Sequence, residues 1–277
     1  MNTNSNLYKT SNKFLYLLIF ILLIQAFDQS FGWGMNFMFP NIYFYTFGTQ
    51  DEGWNPYIWS ENGIVETIQI LLLLMSIGIL LNIYFRFQFG IKNKIIKYFI
   101  FFEIIGLLYF FLEEISWGQH IFGFKSFEIF LTNESVFYNK QGETNLHNIS
   151  NLFNELPRSL VVIWCIFPIF FYKIIKKENI VLRIILPSKK LITISLIISF
   201  FVLPDLIMSK LNLIDHSSLH VIKNDSFQSF DKSTLFNLII TSNYFRLSEL
   251  QELLFSYYFL WHSLYLKELL LKKFNIK

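Results

Sequence analysis

Charge is scarce in this chain. Only 16% of its 277 residues are Asp, Glu, Lys or Arg, against roughly 25% in an ordinary soluble domain. The shortfall excludes a solvated surface along the whole length and points to long apolar stretches. Cysteine is scarcer still. The single one, Cys165, excludes an internal disulfide and a cysteine-built zinc site; lying in an apolar run, it reads as a small buried hydrophobe. The stretch 38–62 holds no basic residue, and elsewhere basic residues gather at the ends of apolar runs. With a net charge of only +3, no nucleic-acid partner is expected. There is no repeat of solenoid period, and low-complexity sequence is confined to the polar N-terminal dozen residues.

What the chain does have is hydrophobicity: 53% apolar residues and a mean hydropathy of +0.43. A spanning helix needs about 20 mostly apolar residues. Six segments qualify, at 14–37, 64–85, 95–117, 158–175, 191–208 and 247–266. The expected fold is therefore all-α, a polytopic transmembrane bundle of about six spanning helices forming a single integral membrane domain over 1–277. Pro168 and Pro204 are expected to kink their helices, since proline removes a backbone donor. Lys9 and Lys13 precede the first segment as in a signal peptide. No small-x-small cleavage pattern follows, so an uncleaved helix is the better reading.

Orientation follows from the basic residues. Sixteen of the 23 fall at the N-terminus, the second-to-third and fourth-to-fifth connections, and the C-terminal end. Those parts are expected in the cytoplasm, with both termini. The outward connections are longer, and the first carries Trp33, Tyr43, Tyr45, Trp54, Tyr57 and Trp59. Such rings favour the headgroup region and form an interfacial belt.

On this topology most ionisable groups at membrane depth collect in the outer half: Asp28, Glu66, Glu113, Glu114, Asp205, Glu249 and Glu252. An isolated charge at a helix centre costs about 2.5–3.5 kcal/mol on insertion scales. Neighbouring carboxylates also repel unless protonated, paired or bound to a cation. Glu66, Glu113, Glu114, Glu249 and Glu252 are the candidate catalytic acids, expected to converge on one polar pocket with Glu143 and His147. Glu113, Trp117 and His120 fall on one face at helical spacing, and Glu143 and His147 stand four apart. Glu143, His147 and His120 are the candidate ligands of a divalent metal, an oxygen-plus-imidazole set suited to zinc, manganese or iron. Trp117, Gln119, Gln141, Asn145 and Asn148 are the candidate substrate contacts. Within the Glu113–Glu114 pair, Glu113 is expected to face the pocket and Glu114 to anchor a neighbouring element.

Plainer readings stand beside these. Glu66, Glu249 and Glu252 open helices, where the positive end of the helix dipole favours a carboxylate. His262 reads as a packed, hydrogen-bonded histidine. Asp215, His216 and His220 read as a solvated loop.

The run Glu113-Glu114-Ile115-Ser116-Trp117-Gly118-Gln119, followed by Asn139 to Asn148, resembles a motif pair in a family of multi-spanning bacterial membrane proteins of unassigned activity. The resemblance takes in Glu61 to Glu66 and the Ser248-Glu249 and Glu252 opening of the last segment. It implies a shared site and a bacterial-type inner (plasma) membrane location, and it names no reaction. A more distant similarity is to the CAAX-processing glutamate intramembrane proteases: Glu113-Glu114 matches their paired glutamates, but Gly118 stands where they carry arginine. The expected function is a metal-dependent hydrolase or transferase acting on a lipid or lipid-linked substrate at the outer face. A proton- or cation-coupled transporter using the same carboxylates, with Glu103 in the inner half, is the first alternative; a structural subunit is the second. Membrane lipid is the expected partner, and the sequence names no protein partner.

The orientation is testable by cysteine labelling in intact cells, in a chain whose Cys165 is replaced by Ala. A cysteine at Asn55 should react with a membrane-impermeant reagent and one at Asn179 should not. Reaction at Asn179 would reverse the topology and carry the candidate site to the other face.

Overall fold

The computed structural model describes residues 12, 13, 15, 16, 20, 63–86, 94–132, 135, 144, 146, 151–171, 184, 186–210 and 247–274; for 120, 121, 151–155, 171, 204–210, 247, 248, 273 and 274 it describes the backbone alone. Among these residues the fold is all-helical, without a strand. The long helices are α1 (Ile64–Arg86), α2 (Lys94–Glu114), α3 (Asn151–Phe171), α4 (Ile192–Lys210) and α5 (Leu247–Phe274). Most of the first expected segment, 14–37, lies outside the described residues, as do the connections 38–62 and 211–246.

Among the described residues two helices, α1 and α2, are long and apolar enough to cross a membrane, and a shorter apolar stretch runs from Leu156 to Phe170 within α3. Their surfaces are informative. On α1, Gln69, Leu73, Ser76, Leu80 and Ile83 are buried, a stripe at alternating spacings of four and three that follows one helix face. The opposite face is equally apolar yet exposed, with Ile68, Leu71, Met75 and Phe85. On α2, Ile96, Ile100, Ile104 and Leu107 are buried while Ile95, Tyr98, Phe102 and Ile105 are exposed. In water the outer face of such a helix would be polar. Contiguous exposed aliphatic and aromatic surface on this scale marks contact with something other than water.

Helix ends depart from the expected segments for local reasons. α3 begins at Asn151 rather than at 158 and runs through Pro157 and Pro168, because hydropathy marks an apolar stretch and not the polar first turns of a helix. α5 continues to Phe274 instead of stopping at 266. There Glu268 pairs with Lys272 four residues on, and with Lys190 at 3.3 Å, contacts of the kind that support exposed helical turns. α2 stops at Glu114 rather than 117, since Ser116, Trp117 and Gly118 all take positive φ and cannot continue a right-handed helix.

The chain divides into two compact units. In the unit made of Met1–Val65 and Ile197–Glu252, Ile198, Phe201, Val202 and Leu250 are buried. The Gln251 side-chain amide donates to the Phe201 carbonyl at 3.3 Å, tying the start of α5 to α4. In the unit made of Glu66–Leu196 and Leu253–Lys277, α1 and α2 form a hairpin. Lys97 lies over the Tyr84 ring at 5.0 Å, and Tyr84 meets Phe101 at 6.2 Å.

The core of this second unit is where α2, α3 and α5 meet. Phe99 of α2 packs on Trp164 of α3 at 5.7 Å. Trp164 presents its ring edge-on to His262 of α5 at 5.8 Å, and Tyr258 stacks on His262 at 6.3 Å. The Tyr258 hydroxyl donates to the Trp164 carbonyl at 3.4 Å. Phe99 and Glu103, like Tyr258 and His262, are four apart and so share a helix face. Glu103 thereby reaches the same cluster, its Oε1 lying 3.4 Å from His262 Nε2.

This packing sets an expectation for stability. Phe255→Ala removes a ring that is 2% exposed and should cost about 3–5 kcal/mol. Phe102→Ala removes one that is 67% exposed and should shift the melting temperature far less. Melting of both variants in detergent measures the difference, and equal shifts would mean that α2 buries its other face.

Candidate functional site

The site begins with the way α2 ends. The last regular bond is Ile115 N–H to the Phe111 carbonyl, at 3.2 Å; Gly118 N–H then closes a tight turn on the Ile115 carbonyl at 2.8 Å. Ser116 has φ 45°, Trp117 φ 54° and Gly118 φ 95°. Glycine takes such a conformation at no steric cost. For Ser116 and Trp117 it costs about 1–3 kcal/mol each and persists only where the surroundings over-determine it.

The surroundings are polar and specific. Trp117 Nε1 donates to Glu113 Oε1 at 2.7 Å. The other oxygen, Glu113 Oε2, accepts the backbone N–H of Leu146 at 2.8 Å. Beyond the break, Gln119 Oε1 accepts the backbone N–H of Thr144 at 2.8 Å. The Thr144 hydroxyl in turn shares a 2.9 Å hydrogen bond with the Ser126 hydroxyl. Glu113 in the last turn of α2 and Gln119 in the helical turn beyond the break thus hold two backbone N–H groups of the segment that carries the second sequence motif. Glu113, Ser116, Ser126 and Thr144 are buried, while the Trp117 ring is 42% exposed. Trp117 fixes its polar edge inward and offers its apolar body outward, the arrangement favoured where lipid meets water.

Glu113 and its partners make a clamp. Hydrogen bonds to an ionised acceptor are roughly twice as strong as neutral ones, and both carboxylate oxygens are used. This is anchoring of the kind expected at Glu114, which lies half-buried in the last position of α2. The Trp117 indole N–H and the Gln119 carbonyl, expected to meet a substrate, here bind the chain itself.

The remaining candidates divide into two groups. Glu66 is buried in the first turn of α1; Glu249 is buried in the first turn of α5, with Glu252 half-buried one turn on. Glu66 and Glu249 occupy the positive end of a helix dipole, which favours a carboxylate. Gln141, Glu143, Asn145, His147 and Asn148 lie outside the described residues, and so does the His120 side chain, whose backbone belongs to the helical turn Gln119–Phe122. The residues that sequence reasoning passed over are Ser126, Thr144 and Leu146. Two of them act through backbone N–H groups, which leave no mark in a sequence beyond the motif around them.

No known protein family matches the chain, and neither does any curated protein or solved structure.

The turn makes a sharp prediction. A Cβ at Gly118 would stand 3.1 Å from Phe122 Cδ2 on a backbone with φ +95°, so Gly118→Ala should strain the turn by about 1–3 kcal/mol. Glu113→Gln keeps the shape but turns an NH2 group toward one of two N–H donors, leaving a buried donor unpaired at about 1–3 kcal/mol. Both variants should melt earlier and increase the labelling rate of a cysteine at Asn145. Unchanged labelling in Glu113→Gln would show that the carboxylate does not hold the segment.

Proposed function

We propose that the chain is a multi-pass membrane protein of about six spanning helices, with both termini in the cytoplasm, acting as an enzyme on a lipid or lipid-linked substrate at the outer face. The observation that supports this reading is the double attachment of Thr144 and Leu146 to Gln119 and Glu113. Residues 143, 145 and 147 alternate with the attached positions. A functional segment fastened to the end of a rigid helix is the usual way in which loops carry precisely placed groups. Backbone strain at Ser116 and Trp117 fits the same picture, since such strain clusters at functional sites.

In this reading Glu113 is a positioning residue and Glu114 the general acid or base of the pair. Glu143 and His147, with His120, hold a divalent metal such as zinc, manganese or iron; such an ion lowers the pKa of bound water and supplies a nucleophile at neutral pH. Gln141, Asn145 and Asn148 contact the substrate. The exposed apolar faces of α1 and α2 and the outward Trp117 ring suit a substrate that arrives within the lipid.

Elemental analysis of the purified full-length protein tests the reading. Stoichiometric zinc, manganese or iron is expected, lost in His147→Ala and in Glu143→Gln and retained in Glu249→Gln. Full retention of metal in both first variants, or no metal in the wild type, would remove the proposed chemistry.

A further inference from the structure

A second glutamate of α2, Glu103, faces the opposite situation from Glu113. Glu103 lies near the middle of the 21-residue α2, and His262 near the middle of the 28-residue α5. Their side chains are 7% and 0% exposed. Glu103 Oε1 and His262 Nε2 approach to 3.4 Å, yet neither carboxylate oxygen and neither ring nitrogen has a hydrogen-bond partner among the described residues. The histidine expected from the sequence to be packed and hydrogen-bonded is packed, and among the described residues its ring nitrogens have no hydrogen-bond partner. Four buried polar atoms without partners are unusual in a native core, and no fold requires them, since α2, α3 and α5 already pack through Phe99, Trp164 and Tyr258.

From this geometry we infer that Glu103 and His262 form a proton-binding site in the interior of the helix cluster, separate from the Glu113 clamp. Without its exchangeable proton the pair is a carboxylate beside a neutral imidazole, with a net charge of minus one. With it, the pair is neutral overall, either as a carboxylic acid with imidazole or as a carboxylate with imidazolium. One proton enters, no bond to carbon changes, and no oxidation occurs. Burial opposes the charged form of an unpaired group, and ionisable pairs inside membranes are characteristic of proton pathways. Among the described residues, Tyr258 of α5 stacks on His262, and the Cys165 thiol of α3 and the Glu103 carboxyl lie close enough to Tyr258 to act on it electrostatically. Along α2 toward the clamp, about 9 Å on by helical rise, stands Tyr109. Its buried hydroxyl also has no hydrogen-bond partner, and it lies within the electrostatic reach of Glu113. A metal is the competing ligand for a carboxylate and an imidazole. However, protein zinc sites use three or four protein ligands, and these two are joined by no third Asp, Glu, His or Cys at coordinating distance among the described residues.

Infrared difference spectroscopy of the full-length protein in lipid bilayers, stepped in pH, tests the inference. The wild type should show one carboxylic-acid band that disappears in Glu103→Gln, and an imidazole band that disappears in His262→Gln. Because the two groups share one proton, each single variant should move the apparent midpoint of the partner left behind by a pH unit or more. If a variant fails to insert, ¹⁵N-histidine spectra of the wild type should still report a coupled titration at one buried imidazole. No titrating band that depends on Glu103 or His262, or midpoints that ignore removal of the partner, would overturn the site. Stoichiometric metal lost in both variants would overturn it as well. Because Glu143 and His147 are untouched, loss of their metal would leave these spectra unchanged.

Discussion

Glu113 holds two N–H groups, and the local architecture rests on those two bonds. Its carboxylate reaches forward to the Trp117 indole and across to the Leu146 backbone, and so binds a strained turn to a distant segment at one point. Without the first bond, a tryptophan at φ 54° has little to keep it there. Without the second, Leu146 loses its hold on the end of α2. The Gln119–Thr144 bond repeats the device beyond the break, with a neutral acceptor in place of a charged one.

Glu103 lies ten positions earlier in the same helix and shows what that satisfaction is worth. Its neighbours are aromatic rings and a histidine, and its oxygens have no donor among the described residues. The two glutamates have the same chemistry and opposite environments. One is fixed by two donors and does structural work; the other is left able to exchange a proton. Helix geometry assigns these roles. Glu103 follows Phe99 by one turn into the α2–α3–α5 cluster, whereas Glu113 sits where the helix is about to break.

The Glu113–Gln119 motif pair was legible in the sequence as a place where acids follow an apolar helix without structural need. That Glu113 and Trp117 interact was legible too, from their spacing of four. The reason differs from the expected one, because Trp117 is not helical and reaches back from a left-handed turn. The attachment of Thr144 and Leu146 was not legible, since donors on the backbone are the same for every residue type except proline. The positions of Glu66 and Glu249 in the first turns of their helices were legible from their order after Gly63 and Leu247; that both are buried was not.

The sequence by itself determined that the chain is helical and apolar over long stretches, because hydropathy and the absence of strand-like alternation depend only on the order of residues. It placed α1 and α2 to within a few residues, since both are bounded by charge. It did not determine which face of either helix is buried: Leu73 and Leu71, or Ile100 and Phe102, are equally apolar, and one of each pair is buried and the other exposed. Nor did it pair Glu103 with His262, which are far apart in the chain and lie within runs that differ little from their surroundings. Those choices belong to the packing of α2, α3 and α5, where side-chain shape decides which apolar surface meets its own kind and which polar atoms are carried inside with it.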